Sequence, residues 1–271
     1  MAGNGVFSSR VVAVTGGASG IGAALCRAFG TAGARIAVID VDVDAIDALI
    51  IELTSGGVDA IGLRCDVTDR DQCESSIGAV IGRFGGIDVL VNNAGITQRG
   101  AFAVTDVAVF RRVMEVNFFG SLYCAKAALG SLIERKGMII VTSSHAGYGP
   151  LLGRTGYSAS KHALHGLFES LRSEVRPLGV HVMMVCPGFT KTSLQTRALG
   201  PDGSVTTHPQ STVGAQDDPE HVARAVVRGA RLRKSIIILT PVGKMTYLLC
   251  RLAPTLYERV MAKKLRSEIT E

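Results

Sequence analysis

A tyrosine and a lysine stand four residues apart in the segment 143–164, SSHAGYGPLLGRTGYSASKHAL, and a serine precedes them. On a helix this spacing puts Tyr157 and Lys161 on one face, with Cβ atoms about 5–6 Å apart. A free phenol has a pKa near ~10, and an ammonium at about 4 Å would lower it by roughly three units, towards neutral. The pair therefore suits general acid–base chemistry, and Ser144 offers a hydroxyl that can hold a reacting oxygen. Because the same spacing is common on helix surfaces, the rest of the chain has to support this interpretation.

A glycine-rich turn near the N-terminus is suited to binding phosphate groups. The segment VTGGASGIG, 14–22, follows an apolar run that predicts a strand, and it opens a predicted helix. Glycines let the backbone approach a pyrophosphate closely, and the helix N-terminus adds free N–H groups and partial positive charge. Asp40 ends the next predicted strand, where a carboxylate can accept hydrogen bonds from an adenosine ribose. The sequence therefore predicts a dinucleotide site that includes Gly16, Ser19, Gly20, Ile21, Gly22 and Asp40.

The elements that carry these residues follow from the alternation of short apolar runs with amphipathic segments, which indicates βαβ units and a parallel sheet. A long helix is expected from Asp106 to about Leu132. Pro219 should open another helix, which Asp218 caps and which reaches about Ala230. The predicted strands cover 10–15, 35–40, 58–67, 87–95, 137–144, 180–188 and 235–240, the last being a buried strand.

Residues 193–217 interrupt this regularity. They are polar, rich in Gly, Pro, Thr and Ser, and without a clear period. An irregular segment of this length inside a compact domain is usually a lid or binding loop, so we expect a substrate lid here. No internal repeat or linker is evident. We therefore expect one domain over 1–271, with a core at 8–240 and an amphipathic helical tail at 241–271.

Composition excludes several classes of protein. The 271 residues are 47% hydrophobic and 19% charged, which is typical of a folded globular chain. The start, MAGNGVFSSR, lacks the apolar run of a secretory leader, and no stretch approaches about 18 uninterrupted apolar residues, so no spanning helix is expected. The six cysteines form no C-x-x-C pair and the histidines show no ligand spacing, so we expect reduced thiols, a cytoplasmic location and no metal.

The net charge of +6 is concentrated near the C-terminus, because eleven Lys or Arg and three Asp or Glu fall in 221–271. A basic chain raises the question of nucleic-acid binding. Here the basic segment has no interleaved stacking aromatics and no known binding motif. We therefore expect no nucleic-acid partner.

The motifs taken together resemble the short-chain dehydrogenase/reductase family over roughly residues 8–240. Each is moderately specific alone, but they occur in the family's order and at familiar intervals. The resemblance implies an α/β fold, with a doubly wound seven-stranded parallel sheet, helices on both faces and a C-terminal helical extension. It rests on TGGASGIG, Asp40, Cys65-Asp66-Val67, NNAG (92–95), Asn117, Ser144, YSASK (157–161) and PGFTKT (187–192).

The resemblance also implies roles for individual residues. Asp66 and Val67 would flank an adenine, Asn93 would lie by the nicotinamide ribose, and Thr190 and Thr192 would lie near the carboxamide. A homodimer or homotetramer is implied as well. The catalytic tetrad would be Asn117, Ser144, Tyr157 and Lys161, and the remaining cofactor contacts would come from Ala94, Gly95, Pro187 and Gly188 with Tyr157 and Lys161.

The choice of cofactor can be argued from charge. The extra phosphate of NADP would meet Asp40 at close range, a repulsion between like charges. Ser19 and Val41 stand where relatives that use NADP often carry a basic residue. NAD is therefore expected and NADP is less favoured. The alternative is that Asp40 caps the following helix, and both roles can coexist.

Two further residues leave alternatives open. Asn117 falls inside a helical pattern, where an asparagine often faces solvent. In the family an asparagine at this place distorts the helix and fixes a water that connects to the lysine. His145 follows Ser144 and either lines the pocket or faces solvent.

The tail, PVGKMTYLLCRLAPTLYERVMAKKLRSE, predicts two short amphipathic helices split at Pro254. An apolar stripe on the second helix can pack on a neighbouring subunit or over the substrate pocket. Because basic residues lie around the stripe, the alternative is peripheral contact with an anionic membrane. We favour packing on protein. The stripe consists of Leu256, Tyr257, Val260, Met261 and Leu265.

These expectations converge on an NAD-dependent alcohol dehydrogenase or carbonyl reductase that interconverts a secondary alcohol and a ketone. Tyr157 would be the general acid–base, Lys161 would lower its pKa and hold the ribose, and Ser144 would position the oxygen. The apolar tail near the pocket points to a lipophilic substrate. The alternative is a non-catalytic NAD(H) sensor or scaffold on the same fold.

Overall fold

The computed structural model describes residues 5–207 and 216–269. Within them seven strands form one sheet in the order β3-β2-β1-β4-β5-β6-β7, and every neighbouring pair is parallel. This confirms the predicted doubly wound sheet. The strands are β1 (Val11–Thr15), β2 (Arg35–Asp40), β3 (Ala60–Arg64), β4 (Val89–Asn92), β5 (Met138–Thr142), β6 (His181–Cys186) and β7 (Ile236–Ile238).

Helices cover both faces of the sheet, because alternate strand residues point to opposite sides. Val12 and Val14 pack into one apolar core and Val11 and Ala13 into the other. The helices are α1 (Gly20–Thr31), α2 (Val43–Ser55), α3 (Arg70–Phe84), α4 (Val107–Met114), α5 (Gly120–Glu134), α6 (Thr155–Val175), α7 (Pro219–Arg231), α8 (Pro241–Leu252) and α9 (Pro254–Lys264). The first core is shared with α1, α2 and α7, the second with α3, α5 and α6.

The chain reverses its direction of winding between β1 and β4. From β1 it moves outward to β2 and β3, and then it returns to β4 and continues to β7 on the other side. In open α/β sheets a crevice forms at such a switch point, outside the carboxyl ends of the strands. The turns that leave β1, β4 and β5 therefore meet at one edge of the sheet.

Two elements differ from the sequence-based expectation. The edge strand β7 is half-buried along Ile236–Ile238 rather than buried, because only β6 pairs with it. The long helix expected from 106 to 132 is three consecutive elements, since a π-helical turn, Glu115–Phe119, separates α4 from α5. Wider turns of this kind are frequent at functional sites.

The described residues contain one helical stretch, 107–134, that is long and apolar enough by composition to cross a membrane. Its α5 part carries Cys124, Ala128 and Leu132 into the second core, where they pack against the sheet. The stretch is therefore the crossover between β4 and β5. The cysteines are free, with Cys250 half-buried and the other five buried.

Candidate active site

A cavity of about 750 Å³ follows the carboxyl ends of the strands. One end is formed by the turns after β1, β2 and β3, where Asp40 and Asp66 lie. Its centre contains Ser144, Tyr157 and Lys161. The other end is covered by α8 and α9. The predicted dinucleotide site and the predicted acid–base pair therefore share one continuous cavity.

The glycine turn after β1 is built for a close backbone approach. Gly16 and Gly20 have φ angles of +59° and +51°, which side chains other than glycine rarely adopt. A Cβ on Gly22 would overlap the carbonyl oxygen of Gly16, so this glycine shapes the turn without lining the cavity. Asn93 braces the turn, because its Nδ2 donates to Gly16 O at 3.0 Å and to Thr15 O at 3.2 Å.

Asp40 orders the backbone at the adenosine end of the cavity. Its carboxylate accepts from Ala18 N at 2.9 Å and from Val41 N at 2.7 Å. Asp40 does not cap α2, because Asp42 holds that position and accepts from Ala45 N. A cation that the sequence argument missed also lines this end: Arg197 reaches from the 193–217 segment to 4.0 Å from Asp42 Oδ2. Residues 208–215 of that segment lie outside the described residues.

The other predicted cofactor residues lie along the same cavity. Ser19 begins α1 without a side-chain cap, so the first backbone N–H groups of the helix are not occupied by that hydroxyl. Asp66 is tied to its own loop, where its Oδ1 accepts from Thr68 N and Thr68 Oγ1. The cavity lining includes Gly16, Ser19, Gly20, Ile21, Asp40, Asp66, Val67, Asn93, Ala94, Gly95, Pro187, Gly188, Thr190 and Thr192.

Tyr157 and Lys161 share the inward face of α6. Both are buried, with 7% and 4% of their surface exposed. The side chain of Ser144 lies beside the Tyr157 hydroxyl and favours its ionised form. Lys161 Nζ donates to Thr142 O at 2.9 Å and lies 5.7 Å from the centroid of the Tyr157 ring. The structure therefore brings together the hydroxyl pair and the ammonium that the spacing predicted.

The pKa values of Tyr157 and Lys161 differ from the sequence-based expectation. Burial raises the pKa of Tyr157 above its ordinary value, although the Ser144 hydrogen bond and the positive charge of Arg154 act in the opposite direction. Burial also lowers the pKa of Lys161 to about 8. The protein atoms alone therefore do not bring the pKa of Tyr157 near neutral, because burial outweighs the opposing effects of Ser144 and Arg154.

Asn117 lies in the π-helical turn and is fully buried, so the solvent-facing interpretation is wrong. Its Oδ1 accepts from Ile96 N at 2.8 Å, and its Nδ2 donates to Ile96 O and Ser160 Oγ. The side chain thus joins the loop after β4 to α6. A Cβ on Gly95 would lie 3.2 Å from Asn117 Oδ1 and 3.6 Å from Lys161 Nζ, so the asparagine and the lysine are close neighbours.

The tail folds over the cavity, so its apolar stripe packs over the pocket, one of the alternatives that its sequence leaves open. Tyr257 and Leu265 of the predicted stripe are buried, while Leu256 and Val260 remain 49% and 42% exposed. The proline split is as predicted, since Pro254 is the first residue of α9. Tail residues that line the cavity are Val242, Met245, Thr246, Leu249, Tyr257, Val260, Met261, Lys264 and Leu265.

The same tail packs on the loop that carries Ser144, a contact that no sequence pattern indicates. Tyr148 Oη donates to Gly243 O at 3.1 Å, and Tyr257 Oη donates to Pro150 O at 3.0 Å. His145 lines the cavity between Gly188 and Gly243, and burial lowers its pKa to about 4. The tail therefore holds the loop between β5 and α6 in place.

A metal centre is not indicated in this site. No group of three or more metal-ligating side chains occurs within 5–207 and 216–269. The cavity does suit a dinucleotide, because glycine backbone, an uncapped helix N-terminus and the Asp40 carboxylate line one end of it. The arrangement is that of a nucleotide-dependent enzyme with a buried tyrosine at its reacting end.

Comparison with known proteins agrees with this arrangement. The sequence model of the family described as short chain dehydrogenase matches residues 10–200. The chain is 34% identical over 270 residues to dehydrogenase/reductase SDR family member 7B of Danio rerio, covering 97% of this chain and 87% of that relative. It is 33% identical over 261 residues to dehydrogenase/reductase SDR family protein 7-like of Drosophila melanogaster, covering 94% and 80%.

Solved structures give the same result. A short-chain dehydrogenase from Streptomyces avermitilis superposes with a TM-score of 0.81 at 30% identity, covering 96% of this chain and 98% of its own. A metagenomic short-chain oxidoreductase in complex with NADP gives 0.72 at 30% identity, covering 87% and 98%. One from Burkholderia phymatum in complex with NAD gives 0.83 at 24% identity, covering 92% and 95%.

The fold and site thus define a Rossmann-type oxidoreductase of the kind that uses a nicotinamide dinucleotide. Within that class, the chain belongs to the short-chain dehydrogenase/reductase family.

The packing of the tail on the loop between β5 and α6 can be tested at Gly149. A Cβ here would lie 2.8 Å from Thr246 Cγ2 and 3.0 Å from Tyr257 Oη, so Gly149→Ala pushes the tail outward. We expect the free energy of unfolding to fall by about 1–3 kcal/mol, the usual cost of overpacking. Urea unfolding measures it.

The matched control is Gly166→Ala on α6, where a Cβ meets nothing within 4 Å. This change should leave stability equal or slightly higher, since alanine favours a helix. Equal stabilities of the two variants would show that the tail does not pack on the loop as described.

Proposed function

We propose that the protein is an NAD-dependent oxidoreductase that interconverts a secondary alcohol and a ketone. The observation that carries this proposal is the buried Tyr157 side chain, which lines the same cavity as Ser144 and the glycine turn. The cavity thus offers both a proton-transferring group and a dinucleotide cradle. A secondary alcohol needs both when it loses a proton and a hydride.

Each polar residue has a separate task in this reaction. Tyr157 takes the proton from the substrate hydroxyl during oxidation and returns it during reduction. Ser144 donates a hydrogen bond to the substrate oxygen and keeps it next to the phenol. Lys161 holds positive charge beside the ring and stabilises the phenolate. Asn117 fixes the loop after β4 against α6, so that these groups stay aligned.

The cofactor would be held at the other end of the cavity. Gly16, Gly20 and the N-terminus of α1 would receive its pyrophosphate, and Asp40 its adenosine ribose. When bound, NAD supplies the nicotinamide C4 position that accepts the hydride. The positive charge of its nicotinamide ring would stabilise the Tyr157 phenolate and act against the burial that raises the pKa of this tyrosine.

The preference for NAD is argued from Asp40. Its carboxylate faces the cavity where the extra phosphate of NADP would lie, and Val41 beside it offers no charge. Arg197 is a cation that lines the cavity, but it lies 4.0 Å from the Asp42 carboxylate and is exposed. We therefore infer that NAD is the preferred cofactor and NADP the weaker one.

The substrate is inferred to be lipophilic. The cavity wall beyond Tyr157 is formed by apolar tail residues such as Met245, Leu249 and Met261. Burial of hydrocarbon against these side chains is favourable by roughly 25 cal/mol per Å². A homodimeric or homotetrameric enzyme of the cytoplasm fits this reaction, and peripheral contact with a membrane through the exposed outer face of the tail stays a prediction.

A non-catalytic sensor on the same fold is the second candidate. It would need the glycine turn but not Tyr157 and Ser144 together at the cavity wall. A panel of secondary alcohols from propan-2-ol to octan-2-ol, followed by the absorbance of NADH, distinguishes the two. Binding of NAD without any turnover would favour the sensor.

The role of Tyr157 is tested by Tyr157→Phe. This variant keeps the ring and loses the titrating hydroxyl, so kcat should fall by about 100- to 10 000-fold while the Kd of NAD stays nearly unchanged. Tyr123→Phe on α5, a tyrosine outside the cavity lining, is the matched control and should keep its activity. Retention of more than about a third of kcat in Tyr157→Phe would exclude a general acid–base role.

Cofactor discrimination is tested by the double variant Asp40→Ala, Val41→Arg. The change removes a repulsion and adds a cation, so the ratio of kcat/KM for NADP over NAD should rise by at least about tenfold, which corresponds to roughly 1.4 kcal/mol. Arg197→Met separates the contribution of the lid arginine. If the ratio stays the same in the double variant, Asp40 orders the backbone only.

A further inference from the structure

Arg154 is a buried cation at the wall of the substrate cavity, and the proposed chemistry does not use it. It precedes α6 and stands three residues before Tyr157. Its side chain is only 3% exposed to solvent, yet it lines the cavity together with Phe189 and Gln195. A guanidinium is expensive to bury unless its charge is paired and its N–H groups are bonded. Its surroundings therefore need an explanation.

The partners of Arg154 in the described residues are few and distant. Nη1 donates to Gln195 Oε1 at 3.4 Å, and the guanidinium carbon lies 5.8 Å from the centroid of the Phe189 ring. Nη2 approaches Glu268 Oε2 at 3.5 Å but makes no hydrogen bond within 5–207 and 216–269. A guanidinium has five N–H donors in a planar fork, and charge-assisted bonds to oxyanions are usually near 2.7–2.9 Å. The donor capacity of Arg154 is therefore largely unused.

Glu268 shows what kind of group this position attracts. It belongs to the short 3₁₀ turn Arg266–Glu268 after α9, which places its carboxylate against Arg154 and outside the cavity lining. The Glu268 side chain is fully buried there, facing Arg154. Arg99 is also near: burial and the positive charge of Arg154 lower its pKa, whereas Glu268 acts in the opposite direction. The positive charges of Arg154 and Arg99 thus both lie near the Glu268 carboxylate, which is 3.5 Å from Arg154 Nη2.

The rest of the wall limits the ligand further. Leu151, Met261 and Leu265 lie along the same part of the cavity and offer hydrocarbon surface. A neutral alcohol would use this surface but would add no oppositely charged group beside the guanidinium. A molecule with both an oxyanion and an apolar chain would use both.

We propose that Arg154 binds an oxyanion of the substrate, a carboxylate or a phosphate, so that the enzyme acts on amphiphilic acids that also carry the reacting alcohol or ketone. This inference rests on the proposed function and names its substrate class. Planar guanidinium recognises both oxyanions through paired N–H groups. Glu268 is then the chain's own carboxylate at the edge of that subsite, and it competes with the ligand for Arg154.

The proposal is tested by equilibrium binding, without turnover. Isothermal titration calorimetry on the full-length protein compares octanoate, octyl phosphate and octan-1-ol, which share one chain and differ in their head group. At least one of the two anions should bind about 10- to 100-fold more tightly than octan-1-ol, the range expected for a charge-assisted contact. The tighter of the two identifies the source of the oxyanion. Equal affinity for all three probes would overturn the proposal.

The variants separate ligand binding from a structural ion pair. Arg154→Met should lose that preference for the anion and keep the affinity for octan-1-ol within about twofold, while Glu268→Gln should strengthen anion binding because it removes the competing charge. Since Arg154→Met removes a cation beside the buried Glu268 carboxylate, the double variant Arg154→Met, Glu268→Gln removes both charges and guards against misfolding. Arg197→Met, a cavity arginine at the adenosine end, should leave anion binding unchanged.

The outcomes decide whether Arg154 recognises an oxyanion or only forms a structural ion pair with Glu268. If the folded double variant binds the preferred anion as tightly as the wild type, Arg154 does not recognise oxyanions and the pair only fastens the tail. If Glu268→Gln weakens anion binding, the competition is excluded and the proposal fails. A protein that binds octanoate or octyl phosphate through Arg154 but oxidises no alcohol would contradict the proposed function and leave this subsite intact.

Discussion

The site depends on the meeting of parallel strands at their carboxyl ends, on either side of the point where the sheet reverses its winding. The turns after β1 and β4 lie side by side there, and Asn93 fastens them by donating to Thr15 O and Gly16 O. Because β5 pairs with β4, Ser144 follows at the same edge. A dinucleotide cradle and a proton-transferring group can therefore face one cavity, although they are more than a hundred residues apart in sequence.

Burial is the second constraint, and it acts in opposite directions on the two ionisable groups of α6. It raises the pKa of Tyr157 and lowers that of Lys161 to about 8, so both groups are driven towards their neutral forms. Lys161 Nζ donates to the carbonyl of Thr142, and Ser144 and Arg154 act to lower the pKa of Tyr157, which limits this effect. Strongly perturbed groups in a cleft are typical of functional sites. The apolar core that α5 and α6 share with the sheet offsets the cost of burying these two groups.

Much of the fold could be predicted from the sequence, because apolar periodicity and the glycine turn are local signals. The strands lie within the predicted segments, Tyr157 and Lys161 share one face of α6, and Pro254 begins α9 as predicted. The contacts between distant segments could not be predicted. Nothing near Gly149 indicates that Thr246 and Tyr257 will pack on it, and Arg154 and Glu268 are separated by most of the C-terminal half. The spacing of Tyr157 and Lys161 likewise predicts a lowered pKa for the tyrosine, whereas burial raises it. Spacing along a helix does not report how deeply a side chain is buried.

The central claim is that this cavity transfers a hydride from the carbinol carbon of a secondary alcohol to the nicotinamide. It is tested most directly with octan-2-ol that carries deuterium at carbon 2, incubated with the protein and NAD, followed by NMR of the reduced cofactor. The account predicts octan-2-one and deuterium at C4 of the dihydronicotinamide. Octan-2-one formed with C4 free of deuterium would contradict it.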